Sequence, residues 1–163
     1  MSPTKKANLL KQAKTSGIQG LLATSTCNRT EIYGLVEHPS KLIQLLCQNT
    51  KGSVETFEQV GYVLKDSQAI EHIFRVGAGL DSQILGDFEI ISQLKVSAKI
   101  SKTYNLMDNY LERLVNCVLQ ASKRIKNETE LSSGATSVSF ASVQYILNAV
   151  KDIKAKNILL FGT

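Results

Sequence analysis

Two kinds of hydrophobic periodicity occupy separate regions of this chain, and that separation limits its fold more than any other feature. Period-two alternation is confined to the first sixty-odd positions, whereas from Asp66 on apolar residues return at helical spacing, interrupted at 77–86 and 105–108. Extended segments gathered in the first sixty-odd residues, with mostly helix after them, predict an α+β domain. It would have a small N-terminal sheet packed by helices, then a helical segment leading into a long connecting helix.

Local signals place the elements. Residues 5–13 favour helix with Leu9, Leu10 and Ala13 on one face, and Gly17 and Gly20 interrupt the chain beyond it. Residues 20–26 and 31–36 read as extended segments around the polar run 25–30, and 60–64 is a further candidate strand. Pro39 and Ser40 open a helix whose stripe is Leu42, Ile43, Leu45 and Leu46. Asp66 and Ser67 offer N-caps for the next one. The strongest helix spans 107–126, where Leu111, Leu114, Val115, Val118, Ala121 and Ile125 follow the i, i+3, i+4, i+7 rule. A polar loop over 127–134 comes next, and Thr136 or Ser137 can cap a helix over 138–150. The apolar run 157–163 has the character of a strand buried in a parallel sheet. A dinucleotide-binding fingerprint begins with such a strand, but the single glycine Gly162 is weak support for one by itself.

Composition narrows the partners. With 163 residues the chain can bury a core without disulfides or a structural metal. Nineteen Lys and Arg against fourteen Asp and Glu leave a net charge of +5, which suits a polyanion without requiring one. Trp is absent and aromatics make up 6%, so base-stacking modules are disfavoured and any nucleic acid would be gripped by its backbone. Lys95, Lys99, Lys102, Lys123, Arg124, Lys126, Lys151, Lys154 and Lys156 are candidate phosphate contacts if one face gathers them, and solvated surface otherwise. Three cysteines at wide spacing, with no C-x-x-C pair and no His cluster, argue against a disulfide framework and against a metal site. The chain shows no signal-peptide pattern and no stretch near 18 apolar residues, so the expectation is a cytoplasmic, reduced protein without a membrane partner.

One thiol stands apart. Cys47 and Cys117 lie among apolar helical neighbours and read as packing. Cys27 sits in the polar stretch 24–30, where Arg29 would favour the nucleophilic thiolate if its side chain folds back; a turn cysteine without a role is the competing reading. A cysteine mechanism usually needs a base, and the chain offers His38, in a solvated turn before Pro39, and His72, on a helix, where a structural role competes. In 79–89 two glycines bracket Asp81, Ser82 and Gln83, and carboxylates come after them at a helix start. Capping explains Asp87 but gives no reason for Ser82, Gln83 or Gln93, which are free to face a ligand.

Three stretches together carry a resemblance: Leu-Ala-Thr-Ser-Thr-Cys27-Asn-Arg-Thr-Glu-Ile-Tyr33; His72-Ile-Phe-Arg-Val-Gly-Ala-Gly-Leu-Asp-Ser-Gln-Ile-Leu-Gly86, continuing through Gln93-Leu-Lys95; and Ser137-Val-Ser-Phe-Ala141. Over about residues 20–163 the chain resembles the N-terminal catalytic part of the glutamyl-tRNA reductase family. The resemblance implies that Cys27 attacks the ester joining glutamate to tRNA. Hydride from NADPH would then reduce the thioester to glutamate semialdehyde, the first step of tetrapyrrole (porphyrin) biosynthesis. The chemistry is coherent, since an aminoacyl ester has a good leaving group for a soft thiolate and a thioester accepts hydride far more readily than a carboxylate.

Carried over by motif, Thr26, Asn28, Arg29, Ser82, Asp87, Phe88, Glu89 and Gln93 would bind the glutamyl moiety, Arg29 being suited to a carboxylate, while His72 would act near the thioester. The implied organisation is a catalytic domain over 1–133, a connecting helix over 134–155, and the first strand of an NADPH domain over 156–163 with Gly162 at the cofactor. The implied partners are glutamyl-tRNA and, in the longer protein, a second copy. The chain departs from the family pattern at Gly86-Asp87-Phe88-Glu89, where Gly-Glu-x-Gln is usual, so one carboxylate is shorter and an amide has become an acid. The family's opening strand and the fingerprint after Gly162 have no counterpart. The expectation is therefore a fragment confined to acyl transfer, unable to bind NADPH, with an open sheet edge that promotes self-association. Two other readings compete: a basic tRNA-binding module without chemistry, and a hydrolase using Cys27 and His72, disfavoured because spacing reveals no acid to orient the histidine.

Overall fold

A computed structural model describes residues 1–26, 29–82, 85–87, 89–131 and 138–159. Helix α1 (Pro3–Thr15) starts where the Ser2 hydroxyl accepts from the Lys5 amide and Pro3 occupies the first turn, and it buries the anticipated Leu9, Leu10 and Ala13. Strand β1 (Leu21–Ser25) pairs antiparallel with β2 (Thr30–Gly34), from Leu21 opposite Gly34 to Ser25 opposite Thr30. Helix α2 (Ser40–Gln48) forms as its stripe predicts, with Leu45 buried.

Strand β1 is buried on both faces and divides the core. Leu21 and Ala23 point into a cluster with Leu9, Leu10, Ala13, Leu45 and Leu106, on the side of α1 and α2. Leu22 points the other way, into Ile73, Leu94, Leu111, Val115 and Val118. Those residues belong to α4 (Asp66–Gly77), α5 (Glu89–Thr103) and α6 (Asn109–Glu128). Period-two alternation thus sends successive side chains into two different helical layers. Each fully buried Leu contributes about 1.5–3 kcal/mol of transfer free energy. The α6 stripe packs as its spacing predicts, and Asp108 caps that helix by accepting from the Leu111 amide at 2.9 Å.

The structure corrects several local expectations. Residues 60–64 form no strand: Val60 ends helix α3 (Val54–Val60), which Ser53 caps and which periodicity did not reveal, and the residues after it stay irregular. Val60 is 80% exposed and Tyr62 58%, so this apolar run packs against no sheet. Asp66 is not a cap but the first residue of α4, with φ of +50°, preceded by Lys65 without a side-chain cap bond. Helix α7 (Val138–Ala149) forms as predicted and is succeeded by a 3₁₀ turn (Ile153–Ala155). The described part of the last apolar run is not a buried strand, since Ile158 and Leu159 are exposed and belong to no sheet. Cys117 is exposed, not packed, while Cys47 is half-buried. Among the described residues no helix is long and apolar enough to cross a membrane.

Candidate active site

The β1–β2 pairing places Arg29, Glu31 and Tyr33, two residues apart, toward the face that also carries Leu22 and meets α4. At the turn, the Thr26 amide donates to the Arg29 carbonyl at 2.9 Å and the Arg29 amide donates to the Thr26 hydroxyl at 3.2 Å. Cys27 and Asn28, between these two residues, lie outside the described residues.

Glu31 is the hub. Its side chain is 9% exposed, and its Oε2 accepts from the Tyr33 hydroxyl at 2.7 Å. Oε1 accepts from Arg29 Nη1 at 3.2 Å and from the Tyr62 hydroxyl at 3.4 Å, and lies 3.0 Å from His72 Nε2. A carboxylate can only accept, so the proton of the last contact sits on Nε2, which leaves Nδ1 of a neutral imidazole as the lone-pair nitrogen. Nδ1 has no partner among the described residues. The His72 ring is stacked with Tyr33 and edge-on to Tyr62, which fixes its plane. Glu31 is therefore the orienting acid that spacing did not reveal.

A second acid reaches Arg29 from the loop after α4. Gly79, with φ of +70°, turns the chain there, and a Cβ at this position would lie 2.7 Å from the Asp87 carbonyl oxygen. The turn brings Asp81 to the guanidinium, which donates through Nη1 to its carboxylate and through Nη2 to its backbone carbonyl. Burial by itself would lower the Arg29 pKa, but the hydrogen bonds and charges of Asp81 and Glu31 outweigh it and hold the pKa above its ordinary value. Burial, reinforced by the charge of Glu31, pushes the Tyr33 phenol far above the usual range, and the same causes raise Tyr62. Oxygen and nitrogen atoms of Glu31, His72 and Asp81 approach one another within 4.8 Å, a spacing a cation could bridge. The guanidinium of Arg29 already supplies that positive charge to both acids.

Of the residues singled out from the sequence, the structure joins Arg29 and His72 through Glu31, beside Thr26. Asp87 does what capping predicts, accepting from the Glu89 amide at 2.9 Å at the start of α5, and Glu89 itself is exposed. Among the described residues, no hydrogen bond ties Ser82, Asp87 or Glu89 to the cluster. Among the described residues the buried Oε1 of Gln93 has no hydrogen-bond donor. Phe88, Gln83 and Gly162 lie outside the described residues. Glu31, Tyr33, Tyr62 and Asp81 were missed as site residues. The period-two series Arg29, Glu31, Tyr33 was the one available sign of the first two, and nothing local pointed to Tyr62.

Comparisons with known proteins agree with the resemblance. Residues 1–129 match the family model of the glutamyl-tRNA(Glu) reductase N-terminal domain. The chain is 65% identical over 158 residues to glutamyl-tRNA reductase of Flavobacterium psychrophilum, and 68% identical over 158 residues to that of Christiangramia forsetii. In both cases the match covers 97% of this chain and 38% of the relative. The glutamyl-tRNA reductase of Microcystis aeruginosa is 34% identical over 149 residues, 89% of this chain and 35% of the relative. The chain thus spans a little over a third of the length of these relatives.

Proposed function

Because this chain belongs to the glutamyl-tRNA reductase N-terminal domain family, we propose that it carries the acyl-accepting half of glutamyl-tRNA reduction, the entry step of tetrapyrrole synthesis. The Sγ of Cys27 attacks the ester carbonyl, a C–S bond forms, and the C–O bond to the terminal ribose breaks. The thiol proton passes to the departing ribose oxygen. Nδ1 of His72, held by Glu31 through Nε2, is the available lone pair to carry it. Arg29 takes the side-chain carboxylate of the glutamyl group. The buried acceptor of Gln93 serves as a further contact for a donor on the substrate.

NADPH, when bound, would supply hydride to the thioester. Gly162, the residue that would meet the cofactor in this reading, lies outside the described residues. Lys95, Lys99 and Lys102, exposed on α5, fit the phosphate backbone of tRNA, although Lys102 also pairs with Glu112 at 2.5 Å. A cytoplasmic location and a dimer of the longer protein complete the proposal.

The observation that carries it is the convergence of Arg29 and His72 on Glu31, next to the residues that flank Cys27. The test is transfer of labelled glutamate from glutamyl-tRNA to protein, trapped by acid quench. Wild type should become labelled, Cys27→Ser should not, and iodoacetamide should alkylate Cys27 faster than Cys117. RNA binding by a protein whose Cys27 takes no label would instead favour a tRNA-binding module without chemistry.

A further inference from the structure

The Arg29–Asp81 contact goes beyond pairing two charges. A guanidinium has five N–H donors. Three are engaged here: Nη1 donates to Glu31 and to the Asp81 carboxylate, and Nη2 donates to the Asp81 carbonyl. The two Asp81 acceptors bridge the edge between Nη1 and Nη2. The donors left over, Nε–H and the second Nη2–H, are neighbours on the adjacent edge and form one parallel fork, the geometry that receives a carboxylate in two hydrogen bonds. Neither has a partner among the described residues. Arg29 and Asp81 side chains are 30% and 35% exposed, whereas Glu31 behind them is nearly buried.

We propose that Asp81 is a positioning residue that pins one edge of Arg29 and so presents the other as a preformed receptor for the side-chain carboxylate of a glutamyl ester. This rests on the proposed function and identifies what makes the site selective for glutamyl over glutaminyl groups. An unpinned arginine would rotate about its side chain and lose most of that order on each binding event. The pinning group must be anionic and must also offer a carbonyl oxygen, which is what an aspartate at the Gly79 turn provides. Glu31 and Asp81 together outnumber the single charge of Arg29. A glutamyl ester carries its own α-ammonium, so this excess does not repel it as it would a bare dicarboxylate.

The experiment follows the 15Nε–1H resonance of Arg29 in this chain while L-glutamate α-methyl ester or L-glutamine α-methyl ester is added. The glutamate ester should shift the resonance saturably and the glutamine ester should not. Asp81→Asn, which preserves shape, and Asp81→Ala should each weaken the glutamate ester by about fivefold or more, and Asp81→Glu should recover part of that loss. Unchanged or tighter binding in Asp81→Asn overturns the proposal, because Asp81 would then be idle or a competitor for the arginine. If Arg29 ignores the glutamate ester while Cys27 still takes label from glutamyl-tRNA, the receptor falls and the acyl-transfer reading stands. If both fail, both fall.

Discussion

Replacing Glu31 by Gln removes one charge from the most heavily used side-chain acceptor among the described residues while keeping its shape. An amide oxygen can stay at the Oε1 position and still accept from Arg29, Tyr62 and the His72 Nε2 proton. The amide nitrogen then faces the Tyr33 hydroxyl, 2.7 Å away in the native protein, which must turn from donor to acceptor. The cost is therefore not lost bonds but lost charge assistance. Hydrogen bonds to an ionised group contribute about 1.5–3 kcal/mol against about 0.5–1.5 for neutral pairs, so roughly 1 kcal/mol is lost per buried contact. Arg29 and Tyr62 are partly open to solvent and count for less, and the relief of not burying a carboxylate offsets part of the rest. The net destabilisation is about 1–3 kcal/mol, a sizeable share of the roughly 5–15 kcal/mol typical of a domain.

Urea unfolding would show this as a lowered midpoint at constant slope. A spectroscopic sign accompanies it. Burial holds the Tyr33 phenol far above its ordinary pKa and the charge of Glu31 adds to it, so Glu31→Gln should move the Tyr33 phenolate transition to lower pH. A midpoint loss worth less than about 0.5 kcal/mol, with an unchanged phenolate titration, would refute the assignment of Glu31 as the hub.

Two further outcomes are expected. Gly77→Ala should cost about 1–3 kcal/mol in a melting experiment, because its Cβ would lie 2.4 Å from Val118 Cγ1 where α4 crosses α6; an unchanged Tm would mean the helices part at no cost. The raised folded-state pKa of Tyr33 means that its contribution is complete below the unfolded value near 10 and is lost as pH rises through the folded value. Stability of the wild type should therefore fall steeply above about pH 10, and Tyr33→Phe should flatten that fall while losing some stability at neutral pH. Parallel alkaline profiles for the two proteins would contradict it.

Apart from α3, the helices and the two paired strands were legible because their signals are local. The stripe from Leu111 to Ile125, the alternation through Ile32, and Pro39 before an apolar face each specify an element without reference to anything distant. The failure at 60–64 has the opposite origin. An apolar run of that length is compatible with a strand, but a strand needs a partner edge, and among the described residues β1 and β2 pair only with each other. The site divides the same way. Arg29 and His72 stood out by residue type and motif, and their spacing could say nothing of the distance between them.

The order of most elements, the polar run that carries Cys27 and Arg29, and the motifs that place the chain in its family were determined by the sequence alone. Only the tertiary structure decided that Glu31 lies against His72, forty-one positions away, and that Asp81 reaches Arg29 across fifty-two. Hydrogen bonds of that kind act over about 3 Å, and which groups come so close depends on how β1 is gripped between two helical layers, a packing result that no local pattern encodes.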